Sequence, residues 1–315
     1  MTVKAIKCHK EKSPQGGTIS TAIHFAIVAA MIGMCICFSS EISKAIHDGI
    51  ILCAFSIIPS LFPFFVISDF LMSCSSSDGI VGRCFQKIFG ISSVGCTAFI
   101  CGTLCGFPIG VSAATDLYRK GSLTSDECER LAGISTNPSL AFVISGVGAS
   151  INGHVKYGIL LYLSVIFSAL AVGIIFAKKH TKNKNTRIIT GQNFDIVASI
   201  KKAGTSSINV SCYIIFFCAV LGVIHNLIKS NLLFTLAAAV LEIGNAVSVI
   251  KKASDLSPLF SQIMTGFALG FSGISVHLQA FSYFPKELSK KKFLLMKAMQ
   301  GGICAAFVVL FCRAI

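Results

Sequence analysis

Five stretches of the chain, 19–38, 45–71, 157–177, 204–228 and 293–313, are apolar almost throughout. Each is about 20 residues or longer, the length a bilayer core demands, and so predicts a membrane-spanning helix. The second carries Pro59 and Pro63, which predicts a kink or break near "IPSLFP". Four more apolar stretches are interrupted by Gly, Pro or polar residues: 93–117 and 131–150 in the first half, 231–250 and 260–284 in the second. Broken hydrophobic segments at matching places in two halves point to a transporter's binding site. The stretches 93–117 and 231–250 are expected to be re-entrant hairpins, with tips at Pro108 and at "EIGN", Glu242 to Asn245. The other two are expected to be broken transmembrane helices.

Composition fixes the solvent. Hydrophobic residues make up 54% of the 315, charged residues 13%, and mean hydropathy is +0.78, which describes an all-α integral membrane protein with no separate soluble domain. The chain has 27 Lys and Arg against 13 Asp and Glu, a net charge of +14. In a soluble protein that excess would raise nucleic-acid binding. Here the basic residues fall between apolar runs, so the expected partner is the lipid bilayer and no nucleic acid is expected.

With the N-terminus inside and both hairpins returning to their own side, 20 basic residues are cytoplasmic: Lys4 to Lys12, Arg83 and Lys87, Arg119, Lys120 and Arg130, Lys178 to Lys202, and Lys286 to Lys292. Five lie outside, namely Lys44, Lys156, Lys229, Lys251 and Lys252, the asymmetry that the positive-inside rule expects. Each half then makes three crossings and the second starts from the opposite face, so the halves read as inverted repeats. The expected divisions are a basic cytoplasmic tail (1–18), a first transmembrane helix (19–42), a first repeat (43–177), a basic cytoplasmic loop (178–203) and a second repeat (204–315).

None of the 14 cysteines falls in a predicted outside loop, which agrees with a reducing inner face. Cys101 and Cys105 stand four apart with no nearby His or second pair, so they read as small buried hydrophobes, and no metal or cofactor is expected. The run 19–38 reads as an uncleaved helix, because "CICFSSEIS" lacks a small-x-small cleavage site.

The chemistry is expected where the helices break. In "STNPS" (135–139), Asn137 is a natural N-cap with Pro138 at the first helical position. A half-helix beginning there would offer free N–H groups and a positive dipole end to an anion. "GFSGIS" (270–275) offers the same device with Ser272, Gly273 and Ser275. A kink packed against its neighbours would explain either alone; two in register point to a polar site near the midplane. Gly102, Gly106 and Gly110, and Gly266 with Gly270, have GxxxG spacings that allow close helix approach.

Glu242 lies in an apolar 20-mer, where a carboxylate is expensive. It contacts substrate, binds a coupling cation or takes up a proton; the blander alternative is a tip that reaches water. Asp69 is a weaker coupling-ion candidate, since an interfacial cap explains it as well. His277 and Gln279 follow the second break at i and i+2, so they do not share a face, and a lone membrane His is more often structural than a proton relay. Lys297 is expected to snorkel inward, which leaves no strong cationic side chain at the breaks. No Ser/His/Asp set, phosphate loop or acid/base carboxylate pair is suitably arranged, so an enzyme is not expected.

The segments "IPSLFPFFVISDFL" (58–71), "GFPIGVSAATDLYRKGSLTSDECERLAGISTNPSLAFVISGVG" (106–148) and "GFALGFSGISVHLQAFS" (266–282) together resemble the YlbJ-type sporulation integral membrane proteins, the stage V sporulation protein V group. These belong to a wider group with the nucleoside-recognition, or gate, domain, which is similar in architecture to concentrative nucleoside transporters, with their re-entrant hairpins and broken helices in inverted repeats. The resemblance implies that 43–177 and 204–315 are gate repeats. It implies a place in the bacterial cell membrane or outer forespore membrane, and movement of dipicolinic acid from the mother-cell cytoplasm towards the forespore. Dipicolinate is a small dianion that opposed half-helix N-termini would suit. By position in these motifs, Pro108, Asn137, Pro138, Glu242, Ser272, Ser275 and Gln279 are implied to line the site. Glu242, Asp69 and His277 are the coupling-ion candidates.

Three readings follow: a transporter or facilitator of a small anionic solute working by alternating access, a nucleoside transporter coupled to Na⁺ or H⁺, and a scaffold or sensor that moves nothing. The Gly-rich interfaces are compatible with a homo-oligomer.

Overall fold

In a bilayer core every backbone polar group needs a partner within the chain, and this chain meets that demand with helices. The computed structural model describes residues 18–73, 79–148, 154–179, 194–253 and 256–313, and no strand occurs among them. The predicted basic tail, apart from Thr18, and positions 180–193 of the basic loop lie outside the described residues.

Helix α1 (Thr18–Cys37) is followed after Phe38 by α2 (Ser39–Leu52), which continues through a π-helical turn, Cys53–Ile57, into α3 (Ile58–Ser73). Near "IPSLFP", where a kink or break is expected, the chain does not break: Ser39–Ser73 is one continuous helix that carries a π turn at Cys53–Ile57. Pro59 has no N–H to give, and the wider π turn immediately before it accommodates the missing bond and the ring. The first helix ends at Cys37, close to the end of the apolar run at 38, and the next begins at Ser39 rather than 45. An amphipathic helix that the apolar runs do not predict, α4 (Ile80–Phe89), buries Phe85 and Phe89.

Two helical hairpins follow one plan. In the first, α5 (Gly95–Cys105) packs on α6 (Ile109–Arg119) around the tip 106–108; in the second, α10 (Asn231–Leu241) packs on α11 (Ile243–Lys252) around Glu242 alone. Each is followed by an interrupted helix. One is α7 (Ser125–Ser135), four non-helical residues at 136–139 and a stretch ending in π-helical Phe142–Gly148; the other is α12 (Pro258–Phe271), Ser272 and α13 (Gly273–Tyr283). Helices α8 (Val155–Ile175), α9 (Ile196–Leu227) and α14 (Lys290–Arg313) complete the described structure. Among the described residues, five segments are long and apolar enough to cross a membrane: Ser39–Ser73, α8, α9, Pro258–Tyr283 and α14.

Helix α14 positions the site. It lies along α12, α8 and α7 and so reaches both interrupted helices. Against α12 the contact is backbone to backbone: a methyl on Gly266 would stand 2.6 Å from the Ala305 Cα, and one on Gly270 2.5 Å from the Gln300 carbonyl oxygen, the close approach that small residues permit.

One end of α7 is a charge cluster. Thr124 and Glu127 form a reciprocal capping box, and Asp126 accepts from Lys178 and Lys292, each at 2.7 Å, and from Arg130 at 2.9 Å. Basic residues that the charge count groups together thus share one face. Burial alone would raise the Asp126 carboxyl, but the Lys178 and Lys292 ammonium groups and the Arg130 guanidinium outweigh it and hold the group well below the usual carboxylate range. A folded value below the unfolded one means stabilisation that is fully present above the unfolded value, about pH 4, and lost progressively as pH falls from there towards the folded value. The thermal midpoint of Asp126→Asn is therefore expected to lie below wild type by the same margin at pH 7 and pH 5, and the margin to shrink at pH 3. A margin that grows on acidification would refute this.

Candidate functional site

Glu242, in extended conformation (φ −151°, ψ 123°), turns its side chain onto the start of α11. Oε1 accepts from the Gly244 N–H at 3.0 Å, and Oε2 from the Asn245 N–H at 2.6 Å and the Asn245 side-chain amide at 2.8 Å. The residue is 2% exposed, so the tip does not reach water. The carboxylate itself takes the positive end of α11.

Each hairpin tip is seated on the break of its own half. A methyl on Gly273 would stand 3.1 Å from the Leu241 carbonyl oxygen and 3.2 Å from the Glu242 nitrogen; one on Gly106 would stand 2.7 Å from the Ser139 nitrogen. The second break consists of two successive left-handed residues, Ser272 at φ 71° and Gly273 at φ 79°. For serine that conformation costs about 1–2 kcal/mol, a strain that tends to cluster at functional sites. The Ser272 hydroxyl donates back to the Leu269 carbonyl at 3.3 Å and does not cap α13. Gln279 donates to the Ser275 hydroxyl at 3.5 Å, and its carbonyl oxygen is buried without a hydrogen-bond partner.

At the first break the structure corrects two expectations. Asn137 does not cap the following turn: its amide donates to the Ile134 carbonyl at 2.7 Å, while its oxygen accepts from Gln300 at 2.8 Å. The turn is capped instead by Ser139, whose hydroxyl accepts from the Phe142 N–H at 3.2 Å, so Pro138 lies before the helical turn rather than within it. Lys297 does not snorkel. It is 0% exposed, and its Nζ donates to the Thr136 carbonyl and to Gln300 Oε1, both at 2.7 Å. The break thus carries the cationic side chain that the sequence reading found lacking, supplied by α14, because a neighbouring carbonyl and amide offer the ammonium closer ligands than the membrane surface does.

Two cavities flank the first hairpin's tip. A small one, about 20 Å³, is lined by Phe107 of that tip, Ser139 of the first break, Glu242 and Gly244 of the second tip and Gln279 of α13, with α3 and α9 as walls. A larger one, about 300 Å³, is lined by Pro108, Asp69, Asp116, Lys120, Lys202 and Tyr283 among others. Of the residues singled out in the sequence, Glu242 and Gln279 share the small cavity. Pro108 faces the large one, as does Asp69, ion-paired with Lys202 at 2.7 Å. Asn137, Pro138, Ser272 and Ser275 line neither of these two cavities. His277 is likewise away from both: its Nε2 lies 2.8 Å from the Phe271 carbonyl, between the rings of Phe271 and Phe293. Sequence reasoning missed Phe107, Ser139, Lys297 and Gln300. A Lys and a Gln three apart on one face of an apolar helix was the signal for the last two.

No family model matches the chain, and no solved structure matches it. Among curated proteins, the sporulation integral membrane protein YlbJ of Bacillus subtilis (strain 168) is 23% identical over 300 residues, covering 81% of this chain and 73% of that protein. Among the described residues the chain is all-helical, with five apolar helices of spanning length, and in sequence it is similar to the sporulation integral membrane protein YlbJ.

Proposed function

We propose that the protein is a membrane transporter or facilitator of a small anionic solute, and that the solute is the one the YlbJ-type resemblance implies, dipicolinic acid moving from the mother-cell cytoplasm towards the forespore. The observation that carries this reading is convergence: both hairpin tips, the first break and the helix after the second break line one small cavity. Each interruption gives up helical hydrogen bonds in a medium without water, which is tolerated where backbone lines a cavity or is buried in protein. Simple packing requires no such meeting.

The small cavity has room for a single water, so a solute enters when a tip moves. The first hairpin is the candidate mover, since Phe107 faces the inner cavity and its neighbour Pro108 the outer one. In this reading the halves are inverted repeats, the larger cavity is the cytoplasmic mouth, and access alternates about the fixed inner site.

A specific observation favours a second substrate class. The Glu242 carboxylate and the unpartnered Gln279 oxygen are both acceptors, a pairing that suits the hydroxyls of a nucleoside with a coupled Na⁺ or H⁺. Dipicolinate movement into proteoliposomes, with and without excess uridine, tests both. Wild type is expected to move dipicolinate, and Gln279→Leu to lose most of that flux, because the side-chain amide N–H, held by a long 3.5 Å bond to the Ser275 hydroxyl, is the donor a carboxylate would take. Uridine flux without dipicolinate flux would select the nucleoside reading, and flux of neither would overturn transport of both.

A further inference from the structure

The first half of each interrupted helix ends in backbone carbonyls that the next turn does not satisfy. At both breaks a buried basic side chain takes up that position. Lys297 Nζ donates to the Thr136 carbonyl, one residue past the end of α7. His277 Nε2 donates to the Phe271 carbonyl, the last of α12; a carbonyl only accepts, so this nitrogen carries the proton. The two side chains are 0% and 1% exposed.

Lys297 is the more informative of the two. It makes no ion pair among the described residues; its ligands are neutral oxygens, the Thr136 carbonyl and Gln300 Oε1, each at 2.7 Å. Gln300 is oriented in turn by Asn137, whose oxygen accepts from its Nε2 at 2.8 Å. A lysine Nζ donating to a carbonyl and an amide oxygen at the negative end of a half-helix has the surroundings that broken-helix carriers give a coupling cation.

We propose that Lys297 is a tethered cation: its ammonium fills the place at the first break that an exchangeable Na⁺ would take, and the protein needs no bound Na⁺ there. The inference rests on reading the breaks as a carrier's site. Lys297 is on this view a positioning residue, with Gln300 and Asn137 as its holders.

The test compares thermal unfolding of the purified full chain in NaCl, KCl and choline chloride at matched ionic strength. Wild type is expected to melt at the same temperature in all three. Lys297→Ala is expected to melt about 10 °C lower in choline, from the two buried acceptors left without a donor, and to recover part of the loss in Na⁺ or methylammonium, which fit the space that choline does not. Lys297→Arg is expected to fall between the two. Stabilisation by Na⁺ over choline that persists in Glu242→Gln with Lys297 intact, or a Lys297→Ala protein equally weak in every salt, overturns the proposal. If the alanine variant does not fold, radiolabelled Na⁺ binding to wild type and Glu242→Gln decides: none in Glu242→Gln supports the tethered cation, and stoichiometric binding that persists there refutes it. No arm reads solute movement, so a failed flux experiment counts against the transport reading and leaves this one standing on its own result.

Discussion

Gly110→Ala will melt well below wild type, by about 5–10 °C, and will do so from a single added methyl. Gly102 and Gly110, one on each arm of the first hairpin, face the carbonyl of Ser135, the last residue of α7, and a methyl on either collides with that oxygen. The obstacle is backbone on a helix end that is itself tied to α14, so it cannot swing aside as a flexible side chain would. Overpacking of this kind costs about 3 kcal/mol, and in a chain of this size each kcal/mol moves the midpoint by about 2–4 °C. Gly302→Ala is the control: nothing lies within 4 Å of its added methyl, and it is expected to melt with wild type. Equal midpoints for Gly110→Ala and wild type would mean that the hairpin and α7 are not clamped as described.

Glu242→Ala is expected to cost stability and flux together. It removes the acceptor for three donors, the N–H groups of Gly244 and Asn245 and the Asn245 amide, at a tip that is 2% exposed. Orphaned donors of a buried charged acceptor cost about 3 kcal/mol or more. Glu242→Gln retains one oxygen acceptor and replaces the other with a donor facing donors, so it should fall between wild type and alanine in midpoint. If alanine and glutamine variants melt alike and both transport, the carboxylate neither holds the tip nor serves the solute.

Much of the local architecture could be read from the chain because its causes are local. The stretch 93–117 coincides closely with Gly95–Arg119 and 231–250 with Asn231–Lys252, since Gly, Pro and a lone Glu interrupt otherwise continuous apolar runs. The continuity of Ser39–Ser73 was not legible, because a π turn can rescue a proline that ordinarily ends a helix. Nor was the character of the first break. Asn137 followed by proline has the local signature of a cap, yet its oxygen is claimed by Gln300, a residue 163 positions away. Local pattern assigns caps by neighbours in sequence, and no pattern of neighbours contains that competitor.

The same long reach sets an order of assembly. Thr136 lies in the first half and Lys297 161 positions later, so a nascent chain carries an unsatisfied carbonyl and an unanchored Asn137 until its last long helix has been made and inserted. Half a chain, however much it resembles a repeat, therefore does not make a finished half-protein. Co-expression of the two halves from separate messages should rescue a first half that is degraded when made alone.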